Sequence, residues 1–167
     1  IKPLILFGPT PIINIRYLAQ VLRKYGYNCV TLVYDLYPIN SPKDFDIVLK
    51  FSNNRYIHWS IITILSYIIF VATLAVCDIY CYFFNGGLLR YTPLKYTEYK
   101  ILKLFSKKII FMPYGSDVIQ PSKIGKIFSN KKWKYNNKII FKVYKNIDEK
   151  ENEKNIKYAL KYSDYII

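Results

Sequence analysis

Glycine, histidine, cysteine and acidic side chains are all scarce in this chain, and each scarcity closes off a class of chemistry. The turn after the first apolar run holds only Gly8, not the G-x-G-x-x-G that lets a backbone approach a pyrophosphate, so a nicotinamide or flavin site is not expected. G-x-x-x-x-G-K-[ST] and G-x-S-x-G are absent as well, which removes a P-loop and a hydrolase nucleophile elbow. The three cysteines, Cys29, Cys77 and Cys81, are odd in number and lack framework spacing, which points to free thiols in a reducing compartment. Cys77, Cys81, Asp78 and the lone His58 do not form a zinc set, because four ligands must converge and a Cys pair four apart in a strand does not. No metal is expected. His58 itself reads as a helix-start or packing residue, not as a catalytic base.

Acids are outnumbered 11 to 25 by Lys and Arg, a formal charge of +14. Such an excess suits phosphate neutralisation. Lys, Asn, Ile and Tyr are abundant together, however, and share A/T-rich codons, so no nucleic-acid partner is expected. Attraction to an anionic membrane surface makes better use of the charge, at about 1 kcal/mol per basic residue lying close to it. Lys107-Lys108 and Lys131-Lys132-Trp133-Lys134-Tyr135 are the clusters that suit it, and a solvated loop is the plainer reading of each. Charge is missing altogether from residues 59–77, a length that satisfies a spanning helix. Ser60, Thr63, Ser66 and Thr73 interrupt that segment, and its place in the chain predicts a helix buried between a sheet and its neighbours; a membrane anchor through 59–77 is the alternative.

What is present is a globular core: 52% of residues are apolar and 18% aromatic, too many for a disordered chain of 167 residues. Short continuous apolar runs alternate with helical patterns. Strands are predicted at 4–7, 28–34, 46–50, 79–84 and 108–112, with a last one from Tyr165. Helices are predicted from Asn14, as its cap, to a stop at Gly26; over 58–76; from Pro93, in its first turn, to Phe105; and over 149–162. Residues 121–138 read as basic and irregular, with a brief apolar element at 139–144. This order predicts an α/β, Rossmann-like three-layer domain, with a mostly parallel sheet covered by helices on both faces. The missing initiator Met at Ile1, and an end at Ile167 inside an apolar run, suggest part of a longer protein.

In such a sheet, ligands bind beyond the carboxyl ends of the strands. The richest strand end is Phe-Met-Pro-Tyr-Gly-Ser-Asp-Val at 111–118, where Tyr114, Gly115, Ser116 and Asp117 arrive together. Asp117 either caps the following turn or presents its carboxylate to a ligand, as an anchor for sugar hydroxyls or as a base.

The whole order resembles the N-terminal half of glycosyltransferases with two Rossmann-like domains, the GT-B fold, in particular the family 4-like group. The resemblance rests on the first strand with its turn and the helix Tyr17 to Tyr27, Cys77-Asp78-Ile79-Tyr80 entering a strand, Tyr114-Gly115-Ser116-Asp117, and Ala159-Leu160-Lys161-Tyr162-Ser163-Asp164-Tyr165-Ile166. It implies a single acceptor-binding domain over 1–167, with a donor-binding C-terminal domain outside this sequence. The implied activity is transfer of a sugar from a nucleotide-sugar donor to a glycan or lipid-linked acceptor. The implied setting is polysaccharide or glycoconjugate synthesis; the basic charge adds the expectation of a cytoplasmic protein peripheral to the inner face of a membrane. No cofactor is implied. The cleft wall would be Gly8, Thr10 and Asn14 from the first turn, Asn85 and Gly86 from the fourth strand, and Tyr114, Gly115 and Ser116, with Asp117 catalytic. Such enzymes often carry Gly-Gly after the first strand and His residues before the Gly-Ser-Asp and after the fourth-strand Asp. This chain has Gly8-Pro9-Thr10, Tyr114, Cys81 and Phe83 there, which leaves a non-catalytic binding or assembly subunit as the alternative.

Overall fold

A computed structural model describes residues 2–50, 52, 54–115 and 148–167. In chain order the elements are β1 (Leu4–Phe7), α1 (Asn14–Lys24), β2 (Asn28–Val33), β3 (Ile47–Val48), α2 (Arg55–Val76), β4 (Ile79–Phe83), α3 (Thr97–Leu104), β5 (Lys108–Met112), α4 (Glu149–Tyr162) and β6 (Tyr165–Ile166). The six strands form one parallel sheet in the order β3-β2-β1-β4-β5-β6. The chain works outward from β1 to β2 and β3, then returns to β4 on the other side of β1. The switch point therefore lies between β1 and β4, where Ile5 is in register with Cys29 on one side and Ile79 on the other.

The continuous apolar strands are explained by two packed faces. Leu6, Leu32, Tyr80, Tyr82, Ile109 and Phe111 meet α2, α3 and α4 through Ile62, Phe70, Leu102 and Ala159. The alternate residues Ile5, Phe7, Val33, Cys81, Phe83 and Met112 form the second core, which α1 enters with Ile15 and Ala19. This is the three-layer α/β arrangement expected. Cys29, Cys77 and Cys81 are buried free thiols. Desolvation pushes the Cys77 and Cys81 thiols up to about 11 and about 12.

Three aspartates set the strand starts at the amino edge of the sheet. Asp46, Asp78 and Asp164 each stand one residue before a strand. Each accepts a backbone N–H from the neighbouring strand: Thr31 at 2.8 Å, Leu4 at 2.9 Å and Ile109 at 2.8 Å. Arg23 also pairs with Asp46, and Lys103 with Asp164 at 2.6 Å. Burial works to raise the Asp46 and Asp164 carboxyls, but these amides and cations outweigh it and hold both below their ordinary value.

Several boundaries differ from expectation. Asn14 does not cap α1: Ile13 holds the N-cap position with helical angles and makes no side-chain cap bond, so Asn14 is already inside the helix. The far end closes as expected, with Gly26 donating to Arg23 and Tyr27 to Leu22 in a Schellman arrangement. α2 begins before residue 58, because the Asn54 side chain accepts from Tyr56 and Ile57. α3 begins after Pro93, because the Thr92 hydroxyl accepts from Leu94 and the Thr92 carbonyl from Lys95, turning 93–96 back on themselves. The expected burial of the long apolar helix holds for one stripe only. His58, Ile62, Ser66 and Phe70 are buried, whereas Ile57, Ile64, Ile68 and Val71 are more than half exposed.

Candidate functional site

The carboxyl ends of β1 and β4 are stapled together at the switch point. β1 leaves through Gly8, where a Cβ would stand 2.0 Å from the Leu32 carbonyl oxygen, so only glycine lets this turn lie against β2. Two residues on, Thr10 is 1% exposed. Its hydroxyl donates to Asn85 Oδ1 at 3.0 Å and accepts from Arg90 Nη1 at 2.7 Å. Gly86 follows with φ +121° and donates to the Phe83 carbonyl at 3.2 Å. Tyr114 comes from the end of β5, half-exposed, with its ring edge-on to Phe83 at 5.8 Å. Gly115 stands beside it at φ +47°, with open space where a side chain would be.

The structure thus brings Gly8, Thr10, Asn85 and Gly86 to one crevice, with Tyr114 and Gly115 at the neighbouring strand end. Asn14 is not among them. It is exposed on α1 and makes none of the crevice hydrogen bonds, because the helix starts a residue earlier than a cap at 14 requires. Ser116 and Asp117 lie outside the described residues, as do the basic stretch 121–138 and the apolar run 139–144.

Sequence reasoning passed over the residues that build the crevice from behind. Glu98, in the first turn of α3, is completely buried. Its carboxylate accepts from the Leu88 N–H at 2.9 Å and the Leu89 N–H at 2.7 Å, and the Tyr34 hydroxyl donates to the Leu88 carbonyl at 2.8 Å. These bonds fix residues 87–92, the segment that presents Arg90. Gly87 is the condition for it, since a Cβ there would lie 2.3 Å from Glu98 Oε1 and 2.6 Å from the Tyr82 ring. Burial pushes the Glu98 carboxyl up to about 7, against the pull of the Tyr82 hydroxyl and the two amides. The signal available in sequence was the pair Gly86-Gly87 followed, eleven residues on, by an acid flanked by Tyr96 and Tyr99.

Arg90 is the second omission. Its guanidinium lies 4.6 Å from the centre of the Tyr91 ring, and its Nε is buried without an acceptor. Among the described residues no carboxylate pairs with it. Tyr37 and Tyr91 are each 43% exposed, and burial raises the Tyr37 hydroxyl while nearby Arg90 opposes the rise. Tyr91 also packs on Trp59 at 4.4 Å, and Trp59 lines a shallow groove of about 450 Å³ on α2 together with Tyr56, Ser60 and Thr63. His58, beside Trp59, is buried with Nε2 2.9 Å from the Tyr34 carbonyl, so that nitrogen donates. It packs and anchors the helix start, as its position suggested.

The result is a half-buried amide and guanidinium braced by the buried Thr10 hydroxyl, with tyrosine and tryptophan rings beside them. Such a surface offers hydrogen bonds to hydroxyl groups and flat apolar faces to ring C–H groups, the combination a saccharide uses. No group of three or more His, Cys, Asp or Glu that could hold a metal occurs among the described residues. Comparisons with family models, with curated proteins and with solved structures found no match to this chain.

Proposed function

We propose that this chain is the acceptor-side half of a glycosyltransferase that uses a nucleotide-sugar donor, with a second domain supplying most of the donor site. The observation that carries the reading is the Thr10, Asn85 and Arg90 staple at the switch point, rimmed by Tyr37, Tyr91 and Trp59. The acceptor is a glycan or a lipid-linked sugar lying across this crevice. Orientation is what this half contributes: a hydroxyl held in line with the donor carbon turns a bimolecular encounter into an effectively unimolecular step. Asp117, two residues beyond Gly115, takes the role of polar anchor and base for that hydroxyl. The departing diphosphate is stabilised from the other domain, without a metal or cofactor bound in this one.

The test is transfer from UDP- or GDP-sugars by the protein carried to its natural termini, read as release of nucleoside diphosphate. Turnover is expected, and Asp117→Asn should lower it severely while leaving the fold intact. Unchanged turnover in that variant removes Asp117 from the mechanism. Donor or acceptor binding without turnover would favour a non-catalytic assembly subunit.

One observation favours a peripheral membrane setting over a spanning anchor. The outward stripe of α2 is aliphatic, and an 18-residue stretch within 56–76 has a mean hydropathy of 2.2 with 17% of it buried, in a chain of charge +14. The opposite stripe stays packed on the sheet, so lipid would meet the helix from the side. Anionic vesicles should retain the protein at low salt and release it at high salt; a requirement for detergent would indicate spanning.

A further inference from the structure

We propose that the saccharide bound in the crevice is acidic, carrying a phosphate or a carboxylate, and that Arg90 is its counter-ion. The sugar part rests on the glycosyltransferase reading; the oxyanion rests on Arg90 alone. Elsewhere among the described residues five cations meet carboxylates: Arg16 pairs with Asp44, Arg23 with Asp46, Lys95 with Glu151, and Lys103 and Lys108 with Asp164. Arg90 stands at the carboxyl end of the sheet and has none among the described residues. A partly desolvated cation without an anion is costly, and here only the Thr10 hydroxyl and the face of Tyr91 offset that cost.

The guanidinium is also aimed and held. Thr10 occupies Nη1, Tyr91 covers one face and Nε is buried, which leaves Nη2 as the N–H group without an acceptor among the described residues. A held guanidinium N–H is a charge-assisted donor to an oxygen of a phosphate or carboxylate. The segment that carries it is pinned by Glu98 through Leu88 and Leu89, so the guanidinium is positioned before a ligand arrives. A sugar ring attached to that oxyanion would reach the faces of Tyr91 and Trp59, which are in contact with each other.

The experiment titrates the protein with glucose 1-phosphate, glucuronate, glucose and inorganic phosphate, following amide and arginine Nε–H signals by NMR. Both acidic sugars, or one of them, should bind at least about tenfold tighter than glucose, with the Arg90 and Tyr91 signals moving. The stronger of the two identifies the oxyanion. Arg90→Gln should remove the preference for acid over glucose, and Arg90→Lys should keep part of it. If Arg90→Gln does not fold, the Lys variant and the salt dependence of the wild-type preference decide. Equal binding of glucose and the acidic sugars, or a preference that survives Arg90→Gln, overturns the inference and leaves the saccharide reading standing. Inorganic phosphate binding as tightly as glucose 1-phosphate overturns the saccharide reading, and the inference with it. Failure of all four probes to bind overturns both.

Discussion

The two edges of the sheet use charge in opposite ways. At the amino edge Asp46, Asp78 and Asp164 each take up a backbone N–H of the next strand, and Arg23 and Lys103 add cations to two of them. That edge is complete in itself. At the carboxyl edge the acid, Glu98, is hidden beneath the turn, and the half-buried Arg90 is a cation without an anion among the described residues. Asn40, whose amide donates to the Pro11 carbonyl near the first turn, leaves its side-chain oxygen buried and without a partner there. Charges that set strand register are satisfied internally, whereas the edge where β1 and β4 diverge keeps capacity for something else.

Removing Glu98 should have the largest effect on stability, because it would leave the Leu88 and Leu89 amides buried and unpaired. Glu98→Ala is expected to cost about 3 kcal/mol in urea unfolding, and Glu98→Gln about 2 kcal/mol, since an amide supplies one acceptor where two are used. The two edges also predict opposite pH trends. The folded protein holds the Glu98 proton up to about 7, above the ordinary 4.5, so this contribution is full below pH 4.5 and is lost as pH rises towards 7. Asp46 and Asp164 are depressed, so theirs is full at neutral pH and is lost as pH falls through their lowered values. Glu98→Gln should flatten the rise-side loss alone; an unchanged slope between pH 4.5 and 7 would mean that Glu98 is not its source.

Asp164→Asn comes next, at about 1–2 kcal/mol, because the amide keeps an acceptor for Ile109 but loses the charge that Lys103 meets. Its effect should leave ligand binding at the carboxyl edge untouched. A shared loss of stability and binding would show that the edges are coupled. The smallest contrast is between two asparagines. Asn54→Ala should cost about 1 kcal/mol because it removes a working cap, while Asn14→Ala should fall within about 0.5 kcal/mol of wild type.

Much of the fold was legible because the strands are short, apolar and separated by helical patterns, and the two packed faces account for that pattern directly. The recurrent acid before a strand was visible at Asp78 and Asp164, although its work, pinning a neighbouring strand, appears only in three dimensions. Of the site, the turn residues Gly8, Thr10, Asn85 and Gly86 were legible from their places after strands. Arg90 and Glu98 were not, since one looks like any surface cation and the other like any helix-start acid until burial and partners are known. Asn14 misled because a capping residue type was read as a cap, while the local backbone had already turned helical at Ile13. The buried and exposed stripes of α2 could not be told apart in sequence, as both are built largely from uncharged residues and the buried one holds His58 and Ser66.

The central claim is that the carboxyl edge, not the amino edge or the α2 face, receives the ligand. Its most direct test is to map glucose 1-phosphate binding residue by residue by NMR on the whole protein. The account predicts perturbations at Thr10, Asn85, Arg90 and Tyr91, with Leu4, Asp78 and Asp164 unmoved. Perturbations confined to the amino edge, or to the outward residues of α2, would contradict it.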